Sequence, residues 1–257
     1  ADVFARYEKV NGLVAEVYAA AKKADRPLVF FEHFSNSAIT DECEGTNVEG
    51  NITNNFNNGA WNPNSLPGSV GQYWEALYEG IRKANLIIEN VQKYNTPDNP
   101  QQDGDLRNRI GEMYFMRGYF HMLLLRMYGE APYIDRVINA GDNMDFKKES
   151  VHSMVEKIVT DAQTAYGMVP NKYVKTSENF GRVDKGACLG LISFVRWVAA
   201  TPLWNGASQY GYNLRRVFEN EYAYDATRWR KAKEAAKAVL DFEVGGTKRY
   251  SLYTKHD

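Results

Sequence analysis

Apolar residues recur about every 3.6 positions in six separate segments of this chain, a pattern typical of helices with one buried face. The segments cover residues 2–23, 72–94, 103–128, 151–166, 185–200 and 226–242. A chain of 257 residues is long enough to bury a sizeable core. The pattern therefore predicts an all-α protein.

The segment at residues 103–128 is apolar around most of its circumference. The only residues that align as a narrow polar strip are Asn108, Glu112, Tyr119 and Arg126. A helix of this kind must be packed on more than one side. We therefore expect it to be the most buried helix of the fold.

The later helices start at regular intervals. Their predicted starts, near residues 103, 151, 185 and 226, lie 34 to 48 residues apart. Helical hairpins of the tetratricopeptide kind repeat about every 34 residues, and the Trp74-x-x-Leu77 pair is similar to the start of that repeat. We predict a single domain over residues 1–257, a tetratricopeptide-like helical-hairpin array with long irregular loops. Such arrays scaffold binding surfaces and seldom carry chemistry.

A long loop, predicted at residues 27–71, separates the first two helices, and loops of this length are usually functional. Residues 27–81 contain no lysine or arginine. They carry seven carboxylates, at Glu32, Asp41, Glu42, Glu44, Glu49, Glu75 and Glu79. This charge excludes a phosphate or nucleic-acid ligand here, and the net charge of −1 gives no bulk attraction to nucleic acid or an anionic membrane.

The same loop is rich in amides, with nine asparagines between residues 36 and 64, interleaved with aromatic rings. Amides donate and accept hydrogen bonds as sugar hydroxyls require, and indole rings cover the apolar faces of sugars. The alternative is that these asparagines serve turns. The predicted ligand-binding residues of this loop are Asp41, Trp61, Asn62 and Asn64.

A second polar and aromatic connection runs over residues 204–212. Trp204 and Tyr210 are the ligand-binding candidates in it, since the connection would extend the same surface. The alternative is that it only caps the helix pair that it joins.

Motifs for catalysis, metals or cofactors are absent from the sequence. Asp41, Glu42 and Glu44 lack the alternating ligands of a calcium loop, and nothing marks one carboxylate as the acid of a glycosidase. The four histidines lack zinc spacing, Cys43 and Cys188 lie far apart, and no nucleotide-binding or hydrolase motif occurs. We predict a binding protein without catalytic residues, metal or cofactor.

Three polar residues fall on helix faces that should be buried, namely Asn85, Arg117 and His121. Buried polar groups are almost always hydrogen-bonded. We therefore interpret Asn85 and Arg117 as internal anchors, and His121 as a core histidine that a neighbour satisfies.

Four strings in order resemble motifs of the SusD-like (RagB/SusD) family of Bacteroidetes outer-membrane lipoproteins. They are WEALYEGIRKAN at residues 74–85, EMYFMRGYF leading to YGEAP at 112–132, GRVDKGA at 181–187, and WRKA leading to YSLY at 229–253. The departures from the family pattern, such as Asp184 where it prefers threonine, affect only packing and capping.

The resemblance implies a lipid-anchored protein on the extracellular face of the outer membrane. Such a protein binds a polysaccharide or oligosaccharide, or in some members a peptide, and passes it to a SusC-like TonB-dependent transporter. Family members are about twice as long, so we expect the variable C-terminal half and the lipidated cysteine to lie outside this chain. Family ligand sites often use the loop before the Trp74-type helix, where Trp61 lies, although a tryptophan there also serves packing. The alternatives are a scaffold that only docks on the transporter and an all-helical glycosidase.

Overall fold

The computed structural model describes residues 2–24, 40–42, 56–60, 62, 64, 68–94, 100–174, 176–206 and 218–252. The predicted all-α class is confirmed. Among these residues, β-structure is confined to isolated bridges and one hairpin of two-residue strands, in which β1 (Glu243–Val244) pairs antiparallel with β2 (Thr247–Lys248).

Seven α-helices lie in the described part of the chain. They are α1 (Asp2–Ala5), α2 (Tyr7–Ala24), α3 (Gly68–Tyr94), α4 (Pro100–Tyr128), α5 (Val151–Met168), α6 (Lys185–Ala200) and α7 (Ala226–Asp241). A 3₁₀ helix, Glu219–Tyr222, precedes α7.

Two predicted boundaries were wrong. The first predicted helix is interrupted at Arg6. The second begins at Gly68, so the last residues of the loop predicted at 27–71 are helical. Two glycines in Gly68–Gly71 weaken the local helical signal. A long-range contact holds this turn, because the Tyr128 hydroxyl donates to the Val70 carbonyl at 2.6 Å.

The capping residues of two helices were predicted correctly. The Ser150 hydroxyl accepts from the Ser153 N–H at the start of α5. The Asp184 carboxylate accepts from the Ala187 N–H at the start of α6. Each side chain satisfies one of the backbone donors that a helix start leaves unpaired.

The helices pack in chain order, as in a tetratricopeptide-like array. From α2 onward each helix packs on the next, and α4 also contacts α2 and α6. Helix α4 is thus packed on more than one side, as predicted. Its Phe120 ring is fully buried and lies where a Cβ at Gly80 of α3 would be, so this glycine permits the close approach of α3 and α4.

The polar strip predicted on α4 is not solvated at Glu112, which is fully buried. Its carboxylate accepts hydrogen bonds from Arg109 at 2.7 Å, Arg182 at 2.9 Å and Tyr173 at 2.7 Å. A buried carboxylate is tolerated when it is paired and hydrogen-bonded in this way. This cluster joins α4 to the segment that precedes α6.

The helices of the described residues include none that combines the length and apolarity needed to span a bilayer.

Candidate functional site

The sequence-predicted ligand residues of the loop are only partly described. Asp41, Asn62 and Asn64 are exposed, whereas Trp61 lies outside the described residues. The structure brings Asn62 and Asn64 together, because the Asn62 side-chain oxygen accepts from the Asn64 N–H at 3.0 Å. That contact is a local turn, which fits the alternative interpretation of this asparagine.

Trp204 is half-buried, and Tyr210, the other candidate of its connection, lies outside the described residues. The Trp204 ring centroid is 5.2 Å from that of Tyr222, in an edge arrangement. The indole also covers Gly129, where a Cβ would lie 2.8 Å from Trp204 Cη2. Its carbonyl is 2.8 Å from His152 Nε2. These contacts are those of a packing anchor, and a ligand contact of Trp204 stays a prediction.

A groove of about 480 Å³ lies between α3 and the segment that connects α4 to α5. We call it the Trp74 groove. Its volume falls within the range of about 300–1,000 Å³ that is common for small-molecule sites. It is lined by Trp74, Glu75, Tyr78, Glu79, Ile81, Arg82, Ile134, Arg136, Ile138 and Met144.

Helix α3 forms one wall of the groove. Trp74, Tyr78 and Arg82 follow each other at four-residue intervals, so they lie along one face of the helix. The Trp74 ring is 4.9 Å from that of Tyr78 and 5.0 Å from that of Tyr128, with the last pair nearly perpendicular. The Tyr78 hydroxyl donates to the Pro132 carbonyl at 2.7 Å, and burial raises the pKa of this phenol.

The opposite wall, residues 132–138, is held by side chains instead of a partner strand. Asn85 Nδ2 donates to the carbonyls of Ile134 and Arg136 at 3.1 and 3.0 Å. In the same segment, the Asp135 carbonyl accepts from Arg117 and the Ile138 carbonyl accepts from Arg82. The Val137 N–H donates to the Glu89 carboxylate. Buried backbone groups need such partners, and here α3 and α4 supply them.

His121 contributes to this wall as a neutral ring. Its Nε2 accepts from the Ile134 N–H at 3.0 Å, and its Nδ1 lies 2.8 Å from the Arg117 carbonyl. The two contacts require the tautomer that carries hydrogen on Nδ1. Complete burial lowers the pKa of His121 to about 3, so the contact with Ile134 is maintained at neutral pH. The sequence interpretations of Asn85, Arg117 and His121 as internal partners are confirmed.

Two of the four charged side chains that line the groove form ion pairs with described residues. Glu79 is 3.0 Å from Lys83. Arg136 is 2.8 Å from Asp142, and hydrogen bonds from the Asn139 N–H and from Arg136 lower the pKa of that carboxyl. Glu75 and Arg82 are exposed, and neither has an ion-pair partner among the described residues.

The acidic side chains of the groove lining are two carboxylates, those of Glu75 and Glu79. Serine, threonine and cysteine are common catalytic nucleophiles, and histidine is the common base beside them. None of the lining residues is of these four types. Cys188 is buried, which raises the pKa of its thiol to about 12. Within the described ranges, no group of three or more histidine, cysteine, aspartate or glutamate side chains is placed to hold a metal ion.

The sequence reasoning missed this groove. It placed the ligand on the loop before Trp74 and on the connection at residues 204–212, and it used Trp74 only as a mark of the helical repeat and of the family. The available signal was the four-residue spacing of Trp74, Tyr78 and Arg82, which places the three side chains on one helix face.

Comparisons with known proteins agree on one family. The sequence pattern of the SusD-like proteins, described as starch-binding and associating with the outer membrane, matches residues 3–195. A SusD-like protein P2 of Formosa agariphila is 28% identical over 129 residues, which are 50% of this chain and 24% of that protein.

Solved structures show the same fold. A SusD homolog from Bacteroides thetaiotaomicron aligns over 96% of this chain and 42% of its own, with a TM-score of 0.67 and 22% identity. A laminarin-binding SusD-like protein aligns over 88% of this chain and 43% of its own, with a TM-score of 0.59 and 20% identity.

The chain thus spans less than half the length of these relatives. The family pattern nevertheless covers most of the chain, and the helical array agrees with the neighbours' fold. This chain therefore belongs to the SusD-like family of starch-binding proteins that associate with the outer membrane.

Proposed function

We propose that this protein captures a glycan at the cell surface and delivers it to a SusC-like TonB-dependent transporter. It would act on the extracellular face of the outer membrane, held there by a lipid anchor. The observation that carries the proposal is the Trp74 groove, which lies in a chain of a starch-binding family. It presents aromatic rings beside two charges that have no ion-pair partner among the described residues. Aromatic faces and charged hydrogen-bonding groups are the usual elements of a sugar site.

The protein acts without chemistry on its ligand in this proposal. The family supports this role, since its proteins are described as starch-binding. Asp41, Trp61, Asn62 and Asn64 would extend the surface from the chain segment that precedes α3, and Trp204 and Tyr210 remain candidates for a second contact.

A peptide is the second candidate ligand. The groove floor contains Ile81, Ile134 and Ile138, and Met144 beside them is 67% exposed. Apolar surface of this kind also suits the side chain of a peptide.

Calorimetry of the whole protein against neutral glycans, acidic glycans and short peptides tests the proposal. We expect a glycan to bind, and Met144→Arg to abolish the binding by placing a bulky cation in the groove. Val174→Arg is the matched control, since Val174 is 76% exposed and does not line the groove. Absence of binding to every glycan, or equal binding by both variants, would contradict the proposal.

The alternative of a scaffold that only docks on the transporter makes a different prediction. Met144→Arg would then leave glycan uptake by cells unchanged, whereas substitutions on exposed helix faces would abolish co-purification with the transporter.

A further inference from the structure

We propose that the glycan carries an acidic group, a carboxylate or a sulfate ester, and that Arg82 binds this group at one end of the Trp74 groove. The inference rests on the proposed function and assigns the substrate class of that site.

The Arg82 guanidinium makes one hydrogen bond to the described part of the chain, so most of its N–H donors have no partner there. Its Nη1 donates to the Ile138 carbonyl at 2.8 Å, and Ile138 belongs to the wall fixed by α3 and α4. A guanidinium has five N–H donors arranged in a planar fork that matches carboxylate and sulfate oxygens. One contact to a fixed carbonyl therefore orients the fork and leaves donors for a ligand.

The other cations near the groove already have carboxylate partners. Arg136 pairs with Asp142 at 2.8 Å. Lys83, the next residue of α3, contacts Glu79 at 3.0 Å and Glu16 of α2 at 3.6 Å. Among the described residues no carboxylate lies within ion-pair distance of Arg82, so of the described cations on this rim it is the one whose charge a ligand can neutralise.

The remainder of the groove fixes the direction of the ligand. Glu75 lies seven residues before Arg82, about 10 Å along the helix axis at 1.5 Å per residue. An acidic group is repelled by Glu75 and, less strongly, by Glu79, whose charge Lys83 offsets, and it is attracted by Arg82, so it would lie at the Arg82 end of the groove. The hydroxyls of a neutral sugar can donate to the Glu75 carboxylate. The Trp74 ring next to Glu75 and the Tyr78 ring between Glu75 and Arg82 suit the apolar faces of sugar rings.

Titration of the whole protein with three probes tests the inference. They are a galacturonate hexamer, a sulfated carrageenan hexasaccharide and neutral laminarihexaose. We expect one acidic probe to bind at least ten times more tightly than laminarihexaose, with an affinity that falls as salt increases. The first two probes distinguish carboxylate from sulfate.

Arg82→Gln should weaken binding of the acidic probe by about ten- to a hundredfold, since it removes a charge-assisted contact. Binding of laminarihexaose should weaken by a smaller factor, because the neutral ligand loses no charge-assisted contact. Arg82→Lys, which keeps the charge but not the fork, should lose less. Arg107→Gln is the control, because Arg107 is also exposed with one backbone contact, to the Gly167 carbonyl at 2.9 Å, and lies outside the groove.

Two results would overturn the inference and leave the proposed function standing. One is tighter binding of the neutral probe, and the other is an Arg82→Gln variant that binds acidic probes like the Arg107→Gln control. If all three probes and all other glycans fail to bind, the proposed function fails and the inference fails with it. Urea midpoints of the three variants, expected to be close to that of the native protein, exclude misfolding as the cause.

Discussion

Arg117 of α4 holds Asp161 of α5 through two hydrogen bonds, Nε to Oδ2 at 2.8 Å and Nη2 to Oδ1 at 2.5 Å. Both side chains are less than one-tenth exposed. The Tyr133 hydroxyl also donates to Asp161, and the remaining Arg117 nitrogen donates to Asn85 and to the Asp135 carbonyl. One buried ion pair thus joins α3, α4 and α5 to the fixed wall of the Trp74 groove.

Arg117→Met is expected to lower the free energy of unfolding by about 3–5 kcal/mol, because it leaves the Asp161 carboxylate buried without its cation. Urea denaturation measures the change. Arg230→Gln is the control, since the Arg230–Glu234 pair is exposed and its atoms are 3.7 Å apart. Exposed pairs of this kind contribute at most about 1 kcal/mol. Equal losses in the two variants would contradict the structural role of Arg117.

The stability of the protein should fall as the pH falls from 6.5 toward 5. The folded-state pKa of His121 is lowered to about 3 and that of His152 to about 4, both by burial. Over this range the unfolded chain binds protons that the folded chain does not, so acid favours unfolding. Fully buried His121 contributes a loss of about 2 kcal/mol between pH 7.5 and 5, and partly exposed His152 contributes less.

The pH prediction is checked by urea midpoints between pH 7.5 and 5. His121→Gln keeps an acceptor for the Ile134 N–H but cannot titrate, so its stability should depend less on pH than that of the native protein. The same slope for both proteins would show that His121 does not titrate on unfolding. Carboxylates titrate mainly below this range; that of Glu156, for example, has a pKa lowered to about 2 by Arg196.

Much of the fold could be predicted from the sequence, since helices with a buried face follow from a local repeat. The N-caps Ser150 and Asp184 were predictable for the same reason. The start of α3 at Gly68 was not, because it depends on a contact with Tyr128, 58 positions along the chain from Val70. Burial of Glu112 was also missed, since its partner Arg182 is 70 positions away.

A steric prediction concerns the close approach of α3 and α4. In Gly80→Ala the new Cβ would lie 2.5–2.8 Å from three atoms of the buried Phe120 ring. We expect a loss of about 1–3 kcal/mol in unfolding free energy, the usual cost of overpacking. A second substitution, Phe120→Leu, should remove the clash, so the double variant should show less than the sum of the two single losses.

Gly12→Ala is the matched control for the Gly80 prediction. Gly12 lies within α2, and a Cβ there meets no atom within 4 Å. Alanine should therefore stabilise the protein by about 0.5–1 kcal/mol, because glycine is the poorer helix former. Thermal denaturation of both variants measures the two changes in stability. A Gly80→Ala variant as stable as the native protein would contradict the packing argument.

The candidate site was less predictable than the fold. Composition directed attention to the amide-rich loop, but a groove depends on which surfaces the fold brings together. Ile134 and Ile138 line the Trp74 groove because Asn85, Arg82 and His121 fix their backbone from two helices. The sequence correctly identified Asn85 as an internal partner, yet it could not identify the segment that Asn85 holds.

Trp204 provides the last prediction, since its two proposed roles differ in what they change. If Trp204 is an anchor over Gly129 and Tyr222, Trp204→Ala should lower the free energy of unfolding by about 2 kcal/mol. The loss is smaller than for a fully buried tryptophan because Trp204 is only half-buried. Trp197→Ala is the control, because Trp197 is 52% exposed and should cost less. If packing is its only role, the folded Trp204→Ala protein should bind glycan within twofold of the native affinity. A tenfold weaker affinity with unchanged stability would instead make Trp204 a ligand contact.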